Sequence, residues 1–109
     1  MIDHVGALTL ELTYSDVPAD QVVAGAPRVG IAELGRFGGS EYGVWEMTPG
    51  AMADTETDEL FIVIAGRAVV ELEHDGSRID LEPGSLGRLA QGTRTIWTVT
   101  ETLRKIYLA

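Results

Sequence analysis

Hydrophobic positions along the chain recur mostly with a period of two, and glycine and proline interrupt them at short intervals. Leu8, Leu10 and Leu12 alternate with Thr9, Glu11 and Thr13, which predicts a half-buried strand over residues 5–13. Residues 14–26 hold Asp16, Pro18, Asp20 and Gly25 without a sustained period and predict a loop that wraps the outside of the fold. A short strand is expected over 28–34, turned by Gly35, Gly38 and Gly39 into an aromatic strand at 42–47, which Thr48-Pro49-Gly50 stops.

The middle of the chain carries the strongest signal. Leu60-Phe61-Ile62-Val63-Ile64-Ala65 is an unbroken apolar run closed by Gly66, and such a run predicts a strand buried on both faces. Gly66 is expected to turn the chain tightly into 68–73, with Ala68, Val70 and Leu72 inward. Asp75-Gly76 then marks a hairpin into 78–81, with Ile79 and Leu81 inward. Pro83-Gly84, a strand at 85–89, the turn Gln91-Gly92, a strand at 94–100 and a last strand at 103–108 complete the pattern. Many short strands punctuated by 13 glycines and 4 prolines indicate an all-β sandwich or barrel.

At 109 residues the chain is expected to form one domain, residues 1–40 supplying an N-terminal strand and wrapping segment and 41–109 the barrel. Seventeen acids against eight bases give a net charge of −9, which argues against nucleic acid and anionic membranes as partners. There is no cysteine, so disulfides, thiolate metal sites and a cysteine nucleophile are excluded. No apolar run approaches a membrane span and no basic-then-apolar leader opens the chain, so a cytoplasmic protein is expected.

Four phrases in register carry a resemblance: Gly43-Val44-Trp45-Glu46-Met47-Thr48-Pro49-Gly50, Asp58-Glu59 leading to Ile64-Ala65-Gly66, Leu81-Glu82-Pro83-Gly84, and Arg104-Lys105-Ile106-Tyr107. Together they resemble the cupins, and more narrowly the small single-domain group similar to one half of ureidoglycine aminohydrolase. The resemblance implies a jelly-roll β-barrel open at one end and dimeric through its outer sheet. Physics also favours the homodimer, since successive residues of the all-apolar strand face opposite ways and both faces need cover.

The resemblance further implies a metal held by two histidines one residue apart, a carboxylate and a third histidine. Glu59 stands seven before Gly66, where that carboxylate belongs, and the paired-histidine positions then fall near Ala53 and Thr55, or one residue earlier; the third falls at Thr95. The chain has two histidines, His4 and His74, both off the motif and expected on the surface. No metal cofactor is therefore expected, which argues against ureidoglycine-type amide hydrolysis. An oxygen-rich site on Asp54, Glu56 and Asp58 remains a further alternative to a solvated acidic loop.

Without a metal, the expected machinery is a carboxylate desolvated by the barrel. Glu59 is the candidate general acid or base, or else a structural acid paired with Arg88, Arg94 or another buried donor. Trp45, Trp97, Tyr42 and Phe61 are candidate aromatic contacts for a small-molecule substrate, joined by Thr95, Thr55 and Arg88. The resemblance implies that Thr95 points inward, and Trp97 shares its parity and is expected inward too, whereas Arg104 and Lys105 face opposite ways, so at most one reaches the interior. The expected function is a metal-independent isomerase, cyclase, lyase or hydrolase acting on a small organic substrate. The alternatives are a non-catalytic ligand-binding or sensing dimer, and a metal enzyme using the acidic site.

Overall fold

The computed structural model describes residues 4–109, and every regular element among them is a β-strand. The strands are β1 (Thr13–Asp16), β2 (Val22–Ala24), β3 (Arg28–Phe37), β4 (Ser40–Met47), β5 (Gly50–Thr55), β6 (Glu59–Leu72), β7 (Arg78–Leu81), β8 (Leu86–Leu89) and β9 (Arg94–Leu108). All pairings are antiparallel. Among the described residues no helix is long and apolar enough to cross a membrane.

Two long strands organise the fold. β6 and β9 pair with each other along most of their length, and each is bent near its middle. The C-terminal half of β9 continues into β4, β3 and β1, while its N-terminal half continues into β5 and β2. On the free edge of β6, β8 pairs with Glu59–Ile62 and β7 with Ala68–Glu71. One continuous sheet is thus folded into two leaves, a half-barrel of jelly-roll type. The inner faces meet in a core that includes Met47, Phe61, Val63, Val70, Leu81, Leu89, Trp97, Leu103 and Tyr107.

The bend corrects two sequence expectations. Gly66 does not close a tight turn between two strands; β6 runs straight through it. Its φ of +90° and the Thr102 carbonyl, which stands where a Cβ would project, let β9 cross closely at the fold line. The expected break between 100 and 103 is likewise a bulged stretch of one strand, where the β6–β9 register shifts between Val63 and Ala68.

Further differences lie at the edges. Residues 6–10 form a turn, with Thr9 and Leu10 N–H groups donating to the Gly6 carbonyl, so the first strand begins only at Thr13. The Ala7 and Leu10 carbonyls instead accept from Arg104 Nη1 at 2.9 and 2.8 Å, and Arg104 Nε pairs with Glu46 at 2.9 Å. The expected wrapping loop of 14–26 contains most of β1 and all of β2, and the expected acidic loop of 51–58 is mostly β5. Ile79, expected inward, is 47% exposed at the edge.

Candidate functional site

Alternation along β9 sends Thr95, Trp97, Lys105 and Tyr107 to the inside, on both sides of the bend. Because the two halves of β9 belong to facing leaves, Trp97 and Lys105 meet across the interior. Lys105 Nζ lies 4.5 Å from the ring centroid of Trp45, 4.7 Å from Trp97 and 4.9 Å from Phe61, and donates to Glu59 Oε2 at 2.7 Å. The lysine side chain is 5% exposed and that of Glu59 15%. An ammonium stripped of water is costly, and here three ring faces and one carboxylate replace its hydration.

Beside this cage lies a second buried acid. Glu56 Oε2 accepts from Thr95 Oγ1 at 2.7 Å and from Trp97 Nε1 at 2.9 Å. The indole N–H is shared with Thr95 Oγ1 at 3.1 Å, so Glu56, Thr95 and Trp97 lock one another's orientation. Asp54 stands opposite Thr95 in the β5–β9 ladder. Burial, then the neighbouring Glu56, raises its proton affinity above the usual aspartate value, and the effect of Glu59 adds to this while a Thr55 N–H and Lys105 oppose it. Farther along β9, Tyr107 donates to Glu41 at 2.7 Å; burial and this bond raise its pKa.

Of the residues singled out from sequence, Glu59, Phe61, Trp45, Trp97 and Thr95 come together around Lys105. Tyr42, Thr55 and Arg88 do not. Tyr42 pairs with Leu108 and lines the outer face of the sheet with Phe37, Leu60, Ile62 and Ile106. Thr55 is exposed opposite Arg94. Arg88 is exposed on edge strand β8, away from the cage. Of the two framings of the histidine pair, Ala53 and Thr55 have the opposite parity to the inward Asp54 and Glu56, whereas the framing one residue earlier, Met52 and Asp54, shares that inward parity; the Met52↔Trp97 and Asp54↔Thr95 pairings set the register.

Sequence reasoning missed Lys105 as a central group. The partner of Glu59 is neither Arg88 nor Arg94; Arg94 pairs with Glu73 at 2.9 Å. The available signal was parity, since 95, 97, 105 and 107 are all odd positions of what proves to be a single strand. His4 and His74 are exposed, and His74 lies 3.4 Å from Asp75.

The donor set does not fit the metal that the cupin fold often carries. The Lys105 ammonium holds Glu59, two donors hold one oxygen of Glu56, and Asp58 accepts from the Gln91 N–H at 2.9 Å on the outside. No three histidine or carboxylate side chains converge among the described residues. A cation would have to displace an ammonium already bonded to the central carboxylate.

Two cavities flank the cage. One, of about 260 Å³, lies between the leaves under Ser15–Pro18 and is walled by Val29, Trp45, Met52 and Asp54. The other, of about 410 Å³, lies beyond Phe61, between β7 and β8.

No curated protein matches the chain. A protein of unknown function of the DUF861 family from Pseudomonas syringae pv. tomato is 30% identical over 95% of this chain, with a TM-score of 0.78, and the chain spans 46% of that protein's length. The EutQ protein of Clostridium difficile is similar in fold, at 19% identity and a TM-score of 0.66 over 92% of this chain and 94% of its own. A chain from the structures of the DMSP lyases RdDddP and RnDddQII shares the fold at 22% identity and a TM-score of 0.61, over 73% of this chain and 46% of that one. Residues 34–107 match the model of the EutQ-like cupin domain, and the chain therefore belongs to that family of small cupins.

Proposed function

We propose that this cupin binds a small organic molecule in the pocket at Trp45 and Asp54 and moves a proton to or from it with barrel carboxylates, without a metal. The observation that carries this reading is the position of Asp54, which lines the pocket with a raised proton affinity while Glu59, behind it, is paired with Lys105. Two carboxylates in contrasting surroundings are the arrangement that acid–base chemistry uses, because a raised affinity keeps a proton available closer to neutral pH. Asp54 is the group that would exchange the proton with the ligand. The paired Glu59 and Lys105 would set the local charge against which Asp54 gives up or regains that proton. Trp45 would supply the apolar wall against which the ligand lies.

A second reading, a binder without turnover, is favoured by one fact: among the described residues no buried side-chain polar atom lacks a partner. The test separates the two. Small amines, amides and hydroxy acids are screened by thermal shift, and compounds that bind are followed by NMR for conversion. Conversion by the wild type, lost in Asp54→Asn and in Glu59→Gln with affinity retained, supports proton transfer. Binding without conversion leaves the binder, and binding that survives Trp45→Ala unchanged removes the pocket from both readings.

A further inference from the structure

Phe61 borders two sites: its ring meets Lys105 and Trp97, and it also lines the cavity of about 410 Å³. Gly87 lies against this ring, with the ring atoms where a Cβ would project, so the absence of a side chain there lets Phe61 stand as a wall. The other inner walls are Val70, Leu72, Leu81 and Leu89, contributed by β6, β7 and β8. Folded interiors are close-packed, and a space this large and apolar is within the range of small-molecule pockets.

The mouth is built to admit something. β7 and β8 each pair only with β6, so no ladder closes the seam between them. The turn joining them is nevertheless fixed: Gly84 N–H donates to the Val63 carbonyl at 2.8 Å and Val63 N–H to the Ser85 carbonyl at 2.9 Å. At the rim stand Arg88, His74 and Asp80. Arg28, Arg67, Arg78, Arg94 and Arg104 each pair with a carboxylate; of the two arginines that pair with none among the described residues, Arg36 donates to the Gly39 carbonyl, and Arg88 stands at this rim. His74 is already engaged with Asp75.

We propose that this cavity is a binding site for a small apolar carboxylate, its aryl or alkyl body between Phe61, Leu81 and Leu89 and its carboxylate on Arg88. An apolar cavity of this kind accepts a hydrocarbon body, and a guanidinium at the rim recognises a carboxylate through two parallel hydrogen bonds. The site is independent of the proton-transfer reading at Asp54 and Glu59.

The test uses benzoate, benzyl alcohol and benzylamine as probes, with calorimetry and two-dimensional NMR on the full chain. Saturable benzoate binding with shifts at Phe61, Leu81 and Leu89 is expected, and benzylamine should bind more weakly than benzoate. Arg88→Gln, at an exposed position, should weaken benzoate about three- to tenfold and leave benzyl alcohol unchanged. Ala90→Trp, also exposed, should block the mouth to both. Glu59→Gln should leave benzoate affinity intact, which separates this site from the proposed reaction. Absence of saturable benzoate binding, an unchanged affinity in Arg88→Gln, or shifts centred on Trp45 and Asp54 would each overturn the proposal.

Discussion

Glu59 and Lys105 form the most consequential contact in the molecule, and a double-mutant cycle measures it. At 5% and 15% side-chain exposure, solvent screens the pair little. Breaking a buried ion pair from one side costs roughly 3–5 kcal/mol, because the remaining charge is left without compensation. Glu59→Gln keeps a neutral acceptor and the three ring faces, each worth about 0.5–2 kcal/mol to the ammonium, so a loss of about 3 kcal/mol is expected. Lys105→Met removes the ring contacts as well and strands Glu59, for a loss of about 3–5 kcal/mol. Against domain stabilities of about 5–15 kcal/mol, losses of this size should move the urea midpoint of either variant well below that of the wild type. The double variant has no charge to strand. It should therefore cost less than the worse single change, giving a coupling energy of at least about 3 kcal/mol. Urea unfolding followed by tryptophan fluorescence is a direct assay, since both tryptophans of the chain face Lys105. Single variants that each cost under about 1 kcal/mol and add in the double would show that the pair is incidental.

Asp54 binds its proton more tightly in the folded chain than in the unfolded one. The stability it contributes is present below the unfolded carboxyl pKa and is lost as pH rises through its raised native value. Asp54→Asn should thus gain stability relative to wild type in going from acid to neutral pH, as read from urea midpoints; the opposite trend would show that the carboxylate is favoured by its site. Gly66→Ala should cost more than about 3 kcal/mol or prevent folding, because φ is positive and the Thr102 carbonyl blocks the Cβ. Gly38→Ala, with a similar φ sign and open space around it, should cost only about 1 kcal/mol, and equal losses would refute the role of the close crossing. The exposed Phe37, Leu60, Ile62, Leu86 and Ile106 form an apolar outer face expected to be buried in a homodimer. Sedimentation should give a dimer that Ile62→Asp dissociates, and a wild-type monomer would remove that expectation.

What the sequence made legible and what it hid divide along the fold line. Within each leaf, alternation is a local property: Thr95 with Trp97, and Val70 with Leu72, can be grouped on one face from parity, and the resemblance supplied the inward direction for Thr95. The bend is not local. Gly66 in one dimension looks like a hairpin turn, and the polar stretch Thr100-Glu101-Thr102 looks like a loop; both are places where two paired strands change leaf together. Lys105 was obscure for the same reason. Beside Arg104 it reads as surface charge, and its surroundings are supplied by Trp45, Phe61 and Trp97 from three different strands. Asp54 sits among acids and threonines that read as a solvated loop, until the ladder to β9 turns it inward. The consequence reaches the chemistry. A flat β9 would carry Trp97 and Lys105 about eight residues apart on one face, too far to touch at about 3.3 Å per residue. Only the folded strand closes that distance, so the ammonium, its ring cage and the carboxylate beside it exist because the sheet bends at Gly66.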